Sequence, residues 1–185
     1  MNPNIESNFR TILHRSRLRP LQVTIWLLLA LACGTTFSLP LMAKDSKSDP
    51  FKWVSPPSSE WKLRKVKKGE IEVGVKGKPK AINIGLRIQD DVPFTAGNFL
   101  DQVRTKLMAD PGYQGADITQ VDSKSVGGKT WNYFVIKRKD QIFQEFWARS
   151  LSSDRILNVL YTTVGNYYEL YRNDFMKVLE QAAGD

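Results

Sequence analysis

Residues 129–164 read KTWNYFVIKRKDQIFQEFWARSLSSDRILNVLYTTV, and this stretch decides the fold. It predicts three long strands separated by turns that are short enough for hairpins. The strands are Lys129–Arg138, Ile142–Leu151 and Arg155–Val164. Apolar residues occupy both faces of the first strand, where Trp131, Tyr133 and Val135 alternate with Phe134 and Ile136. A strand that is apolar on both sides needs cover on both sides, so we expect a sheet between two layers.

An amphipathic helix is predicted on each side of this stretch. Before it, Thr95 is typical of an N-cap, and an apolar stripe predicts a helix that ends at about Asp110. After it, Asn166 and Glu169 have the spacing of a capping box, and a second stripe follows. The two stripes consist of Phe99, Leu100, Val103 and Leu107, and of Tyr167, Tyr171, Phe175, Val178 and Leu179. We expect one helix on each face of the sheet.

Four more strands complete the predicted order. They are Trp61–Lys68, Glu70–Lys76, Ala81–Gln89 and Asp117–Val126. The third alternates cleanly between apolar and polar residues, with Ile82, Ile84, Leu86 and Ile88 on one face. The order βββ-α-ββββ-α predicts an α+β fold, in which a largely antiparallel sheet is sandwiched between two helices as an α/β/α arrangement.

The first 43 residues predict export. Four arginines up to Arg19 precede a charge-free stretch from Pro20 to Ala43, and Pro40 lies shortly before Ala43. A basic segment, an apolar segment and a small residue form the layout of a secretory signal peptide, with cleavage expected after Ala43. We therefore expect a periplasmic protein. Residues 44–59 are rich in serine, proline and charge and predict a linker, and residues 60–185 are long enough for one domain.

Two alternatives for the leader remain open. The charge-free stretch exceeds the ~20 residues that span a bilayer, so it could stay as a signal anchor in the inner membrane. Alternatively, residues 29–34 (LALACG) resemble a lipobox, which would make Cys33 the site of a lipid anchor.

The residue types that the predicted domain lacks restrict its chemistry. The chain has one cysteine, Cys33, and one histidine, His14, and both precede residue 44. The domain therefore cannot assemble an intrachain disulfide, a Cys/His zinc site or a Ser-His-Asp triad. Carboxylates remain, and they allow two weaker hypotheses: an acid/base pair of Asp140 with Glu145, and a calcium site at Asp90-Asp91, Asp110 and Asp117. No D-x-[DN]-x-[DN]-G loop supports the second. We predict no cofactor, no metal and no enzyme, with a carboxylate-based enzyme as the catalytic alternative.

The most basic segment of the domain is Lys62–Lys80. It holds eight basic residues against Glu70 and Glu72, namely Lys62, Arg64, Lys65, Lys67, Lys68, Lys76, Lys78 and Lys80. Such a segment can meet an acidic partner or anionic lipid. It can equally be a solvated edge hairpin, whose lysines deter pairing with other sheets. Nucleic acid is not expected as a partner of an exported protein.

One position on the second helix departs from its apolar stripe. Tyr168 falls beside that stripe, and Arg172 lies one turn further on. Tyrosine and arginine are enriched at protein interfaces, so the pair is a candidate contact surface.

The element order, with the helix 95–109, Gly128-Lys129-Thr130-Trp131 and 159–163 (VLYTT), resembles the PsbP-like and DcrB-like family over about residues 60–183. The resemblance implies an α/β/α sandwich and a non-catalytic accessory or binding module at a membrane surface. The histidines that plant members use for metal contacts have no counterpart here. We therefore expect an exported accessory protein that acts on an envelope protein or complex. The alternative is a membrane-surface module that uses its basic hairpin. The sequence identifies neither the partner nor the oligomeric state.

Overall fold

The computed structural model describes residues 55–184. The leader, the expected cleavage site, the lipobox and most of the linker lie outside the described residues. The strands are β1 (Trp61–Lys67), β2 (Glu70–Val75), β3 (Asn83–Gln89), β4 (Asp117–Ile118), β5 (Asp122–Val126), β6 (Lys129–Lys137), β7 (Ile142–Ser150) and β8 (Ile156–Val164). The helices are α1 (Ala96–Ala109) and α2 (Tyr167–Ala183), and a short 3-10 helix, Pro111–Tyr113, follows α1. None of the described helices is long and apolar enough to cross a membrane.

The strands form one sheet in the order β1-β2-β3-β8-β7-β6-β4, and β5 also pairs with β6. Every pairing is antiparallel. β3 pairs with β8, so the first three strands continue the sheet formed by the stretch 129–164. The predicted α+β fold is confirmed, and β1 is one edge of the sheet.

The predicted strand Asp117–Val126 is wrong as a single element. It consists of β4 and β5, which pair with different parts of β6. The interruption has a local cause at Thr119, whose hydroxyl accepts the Val135 N–H at 2.9 Å, while the Thr119 N–H donates to the Val135 carbonyl at 3.0 Å. A side-chain oxygen thus replaces one carbonyl of the ladder.

The two helices lie on opposite faces of the sheet. Phe175 of α2 stacks on Tyr161 with ring centroids 4.8 Å apart and meets Trp147 edge to face at 6.0 Å. The opposite face carries Gln144, whose Oε1 accepts a hydrogen bond from Tyr113 just after α1. Successive residues of a strand point to opposite faces, so Glu145 and Trp147 face α2 while Gln144 faces α1.

The two predicted helix caps have different outcomes. Thr95 caps α1, because its hydroxyl accepts the Asn98 N–H at 3.3 Å. Asn166 makes no side-chain capping bond to α2 and has helical backbone angles, φ −69° and ψ −7°. The predicted capping box of Asn166 and Glu169 is therefore wrong, because an N-cap side chain reaches the first-turn N–H groups from an extended backbone.

The sheet has two ends, to which we refer as the upper and lower ends. The upper end holds the loop 76–82, the turn 138–141 and the start of α2. The lower end holds the turn 68–69, the turn 127–128 and the end of α2. Lys78 lies over the ring of Tyr167 at the upper end, 5.1 Å from its centroid. At the lower end, the Arg149 Nη2 donates to the Ala182 carbonyl at 2.7 Å.

Candidate functional site

The structure divides the basic segment Lys62–Lys80 into two clusters. The lower cluster is Lys67 and Lys68 at the turn between β1 and β2, with Lys65 beside it. The upper cluster is Lys62, Lys76, Lys78 and Lys80, with Arg64 beside it. Lys62 and Lys67 are five residues apart in one strand, which corresponds to roughly 17 Å at ~3.4 Å per residue. The segment therefore offers two separate basic surfaces and not one continuous surface.

The two acidic residues of the hairpin are already engaged by two of its basic residues. Lys65 Nζ lies 2.6 Å from Glu70, and Arg64 Nη1 lies 3.9 Å from Glu72. Arg64 also donates to the carbonyls of Lys80 and Val75, at 3.0 and 3.1 Å. Its guanidinium lies against Gly74, where a Cβ would approach it to 2.0 Å. Arg64 and Lys65 are thus structural members of the hairpin.

The remaining six lysines of the segment are exposed. For five of them, Lys62, Lys67, Lys68, Lys76 and Lys80, no ion pair is formed with any residue in the range 55–184. Lys78 makes the cation–π contact with Tyr167 described above. These lysines are available to an external anion.

Strand β1 combines its lysines with exposed apolar side chains. Leu63 pairs with Val73 and Val66 pairs with Ile71, so both point to the face that carries α2. They are 44% and 59% exposed. The register shifts between Leu63 and Lys65, which marks a bulge. Bulges and lysines both discourage strand addition at an open edge.

Tyr168 and Arg172 belong to a buried network centred on Glu145. The Glu145 carboxylate is fully buried and accepts three hydrogen bonds. They come from Trp147 Nε1 at 2.8 Å, the Tyr168 hydroxyl at 2.5 Å and Arg172 Nε at 3.0 Å. Arg172 is 36% exposed and is the one cation of the network. The buried negative charge is thus neutralised by a partner on the surface of α2, as a buried carboxylate requires.

The protonation states of the network follow from its geometry. Burial raises the pKa of Tyr168, and the adjacent Glu145 carboxylate, which accepts its proton in a hydrogen bond, raises it further. Burial alone would lower the pKa of Arg172, but the charge of Glu145 and the hydrogen bonds raise it above its usual value. Tyr168 therefore remains a hydrogen-bond donor and Arg172 remains a cation at every physiological pH.

Tyr168 is not a free surface residue, in contrast to what its position beside the apolar stripe suggests. Its ring stacks on Phe143 at 4.9 Å and on Tyr161 at 6.0 Å, and it is half-buried. Lys137 lies over the other aromatic ring of this pair, 5.6 Å from the Phe143 centroid. Arg172 and Lys137 therefore flank a stacked Phe143–Tyr168 pair.

The upper cluster and this pair lie at the same end of the sheet. Tyr167, which contacts Lys78, directly precedes Tyr168 at the start of α2. The structure thus places Lys76, Lys78 and Lys80 at the same end of the sheet as Tyr168 and Arg172, and it places Lys67 and Lys68 at the other end.

The carboxylates do not assemble the sites that the weaker hypotheses required. Asp140 is exposed in the β6–β7 turn and pairs with Arg138 at 2.8 Å, whereas Glu145 is buried under α2. Asp90 pairs with Arg155 at 2.7 Å, and Asp91 adopts a positive φ of 58° in the turn before Pro93. Within residues 55–184, no group of three or more Asp, Glu, His or Cys side chains is placed to hold a metal ion.

Phe143 and Lys137 were not identified as site residues from the sequence, and Glu145 was considered only as the acid/base partner of Asp140. A signal for Glu145 was present, because it lies between Phe143 and Trp147 in the phase of β7 that faces the core. A charged residue in an apolar phase indicates a buried partner. The identity of that partner depends on where α2 crosses the sheet, which periodicity does not give.

Comparisons with known proteins show a likeness of fold. No protein-family model and no curated protein matches the chain. Among solved structures, the chain is similar to the solution structure of cyanobacterial PsbP (CyanoP) from Synechocystis sp. PCC 6803. The two share 12% sequence identity with a TM-score of 0.42, over 77% of this chain and 97% of the other. This is a likeness of fold alone, at the level of the PsbP-like resemblance noted in the sequence.

Proposed function

We propose that this chain is an exported, non-catalytic accessory protein that binds an acidic surface of an envelope protein or complex through its upper end. The observation that carries the proposal is the upper cluster, where the exposed lysines have no acidic partners within residues 55–184 and Lys78 contacts Tyr167 at the start of α2. Aromatic and arginine side chains are enriched at protein interfaces, and exposed basic side chains provide electrostatic complementarity to an acidic partner.

The buried charges of the domain support a binding role over catalysis. A general acid or base needs a proton-transfer site that a substrate can reach. Glu145 has no exposed surface, and three donors occupy its oxygens. Its geometry suits the positioning of Arg172 and Tyr168, which are the members that reach the surface.

A membrane-surface role is the second candidate. For this role, the path of the chain favours the lower end of the sheet and not the upper cluster. Ser55 N donates to Gln181 Oε1 at 3.3 Å, and Ser58 Oγ donates to Asp174 at 3.2 Å. The chain therefore enters the domain beside the end of α2, at the lower end of the sheet. A leader retained as an anchor would join the domain there, at the same end of the sheet as Lys67 and Lys68.

Two variants with matched charge changes separate these roles. Lys76→Glu with Lys80→Glu alters the upper cluster, and Lys67→Glu with Lys68→Glu alters the lower one. Each pair changes the net charge equally, and exposed substitutions should alter stability by no more than ~0.5 kcal/mol each. Association is measured by chemical cross-linking of the full chain in cells and by binding to phosphatidylcholine vesicles with and without phosphatidylglycerol.

We expect the Lys76→Glu and Lys80→Glu double variant to lower the yield of a discrete cross-linked protein complex by about tenfold, because it loses ion pairs that contribute up to ~1 kcal/mol each. The lower pair should leave that yield unchanged. Loss of vesicle binding by the lower pair alone, with no effect of either pair on cross-linking, would favour the membrane role. If neither double variant changes cross-linking or vesicle binding, the lysines are only a solvated edge, and the proposal is overturned.

A further inference from the structure

Arg172 is held from one side and open on the other. Its Nε donates to Glu145 at 3.0 Å and to the Tyr168 hydroxyl at 3.3 Å. A guanidinium carries five N–H donors, four of which are on the two terminal nitrogens. No hydrogen bond from these terminal nitrogens to any residue of 55–184 is formed, and the side chain is 36% exposed. The terminal donors are therefore available to a ligand.

Glu145 fixes the direction of these donors. Its carboxylate is anchored by Trp147 Nε1 on its own strand and by the Tyr168 hydroxyl on α2. A flexible arginine loses side-chain entropy when it binds, and an arginine that is already held loses less. The network thus preorganises Arg172 for an anion.

A buried carboxylate is also a poor choice for stability alone. Its removal from water is unfavourable, and well-packed apolar residues often stabilise a fold as well or better. Glu145 lies in the aromatic layer beneath α2, where an apolar side chain would be expected.

The surroundings of Arg172 indicate what accompanies the anion. The stacked Phe143–Tyr168 pair is half-buried and lies between Arg172 and Lys137. Asp117 pairs in register with Lys137 and is exposed, so it offsets part of the lysine charge. Arg172 is consequently the principal anion receptor, and the exposed parts of the two half-buried rings lie next to it.

We propose that Arg172 receives a carboxylate of the partner protein, from an Asp or Glu side chain that adjoins an aromatic residue packed against the exposed parts of Phe143 and Tyr168. This inference rests on the proposed binding function and specifies its chemistry. Arginine binds a planar carboxylate through two parallel N–H bonds, and tyrosine and arginine are the residue types that most often dominate interface energetics.

The test uses two dipeptide probes that differ in one functional group, N-acetyl-Asp-Trp-amide and N-acetyl-Asn-Trp-amide. They are titrated into the full chain, purified through a C-terminal tag, while the arginine Nε–Hε signals are followed by NMR. The Arg172→Lys variant assigns the Arg172 signal. Arg104 is the matched control, because its Nε also donates to the protein, at 2.7 Å to the Thr119 carbonyl, but on the opposite face.

We expect the Asp probe to shift the Arg172 signal with saturation and the Asn probe to bind at least about tenfold more weakly, since a hydrogen bond to a charged group contributes ~1.5–3 kcal/mol. The Arg104 signal should not move. Equal effects of both probes, equal shifts at Arg104, or no shift would overturn the inference. The Lys76 and Lys80 reversal tests the binding function separately, so a failure at Arg172 alone would leave that function in place.

Discussion

Trp61 donates its indole Nε1–H to the Asp174 carboxylate at 2.9 Å, and this bond ties the edge strand β1 to the middle of α2. The Trp61 ring also meets Tyr171 edge to face, with centroids 5.5 Å apart. Asp174 accepts further bonds from Ser58 Oγ and Lys177 Nζ. One carboxylate thus holds together the chain entry, the edge strand and the helix.

The Asp174 bonds predict an acid dependence of stability. Burial alone would raise the pKa of Asp174, but the bonds from Lys177, Trp61 and Ser58 outweigh it and lower the pKa below its usual value. A lowered folded-state pKa gives stability that is present above the unfolded pKa of ~3.9 and is lost as pH falls through the folded pKa. Asp174→Asn should therefore make the unfolding free energy less dependent on pH below ~4, measured by urea denaturation. Parallel pH profiles of variant and parent would contradict this.

Removing the Glu145 carboxylate should be strongly destabilising. Glu145→Ala leaves Trp147, Tyr168 and Arg172 without their common acceptor, and loss of one partner of a buried pair costs ~3–5 kcal/mol. The control is Glu169→Ala on the exposed side of α2, which should change the unfolding free energy by no more than ~0.5 kcal/mol. Similar denaturation midpoints for both variants would show that the network contributes little.

The β5–β6 turn predicts unequal effects for two adjacent glycines. Both have positive φ, 58° at Gly127 and 73° at Gly128, which costs an L-residue roughly 1–2 kcal/mol. A Cβ at Gly127 would lie 2.6 Å from the Ala183 Cβ, whereas one at Gly128 would meet nothing within 4 Å. Gly127→Ala should thus lower the unfolding free energy by about 1–3 kcal/mol more than Gly128→Ala, because the end of α2 must shift. Equal losses in thermal unfolding would mean that α2 does not press on this turn.

Sequence periodicity predicted most of the fold because burial on one or both faces leaves a pattern in each strand. The strands β6, β7 and β8 are each within one residue of their predicted bounds at either end. The division at Thr119 was not predictable, since it depends on one hydroxyl replacing a carbonyl at Val135. The uncapped Asn166 was missed for a similar reason, because a residue type does not fix its backbone angles.

The candidate site was predicted only in part. The excess of basic residues in the segment Lys62–Lys80 indicated the lysines. The position of Tyr168 beside the apolar stripe indicated Tyr168 and Arg172. The division of the lysines into two clusters follows from the hairpin, whose strands carry Lys67 and Lys76 to opposite ends. The role of Glu145 depends on α2 crossing β7, a tertiary contact that local pattern does not encode.

Site-specific photo-cross-linking in intact cells tests the central claim most directly. A photoreactive residue replaces Lys80 in the upper cluster in one full-length variant and Lys68 in the lower cluster in another. We predict that position 80 yields a discrete protein adduct that high salt suppresses, since exposed charges are screened beyond ~8 Å at physiological ionic strength and over still shorter distances at higher salt. Position 68 should yield no such adduct. A protein adduct from position 68 alone, or only lipid adducts from both positions, would contradict the account.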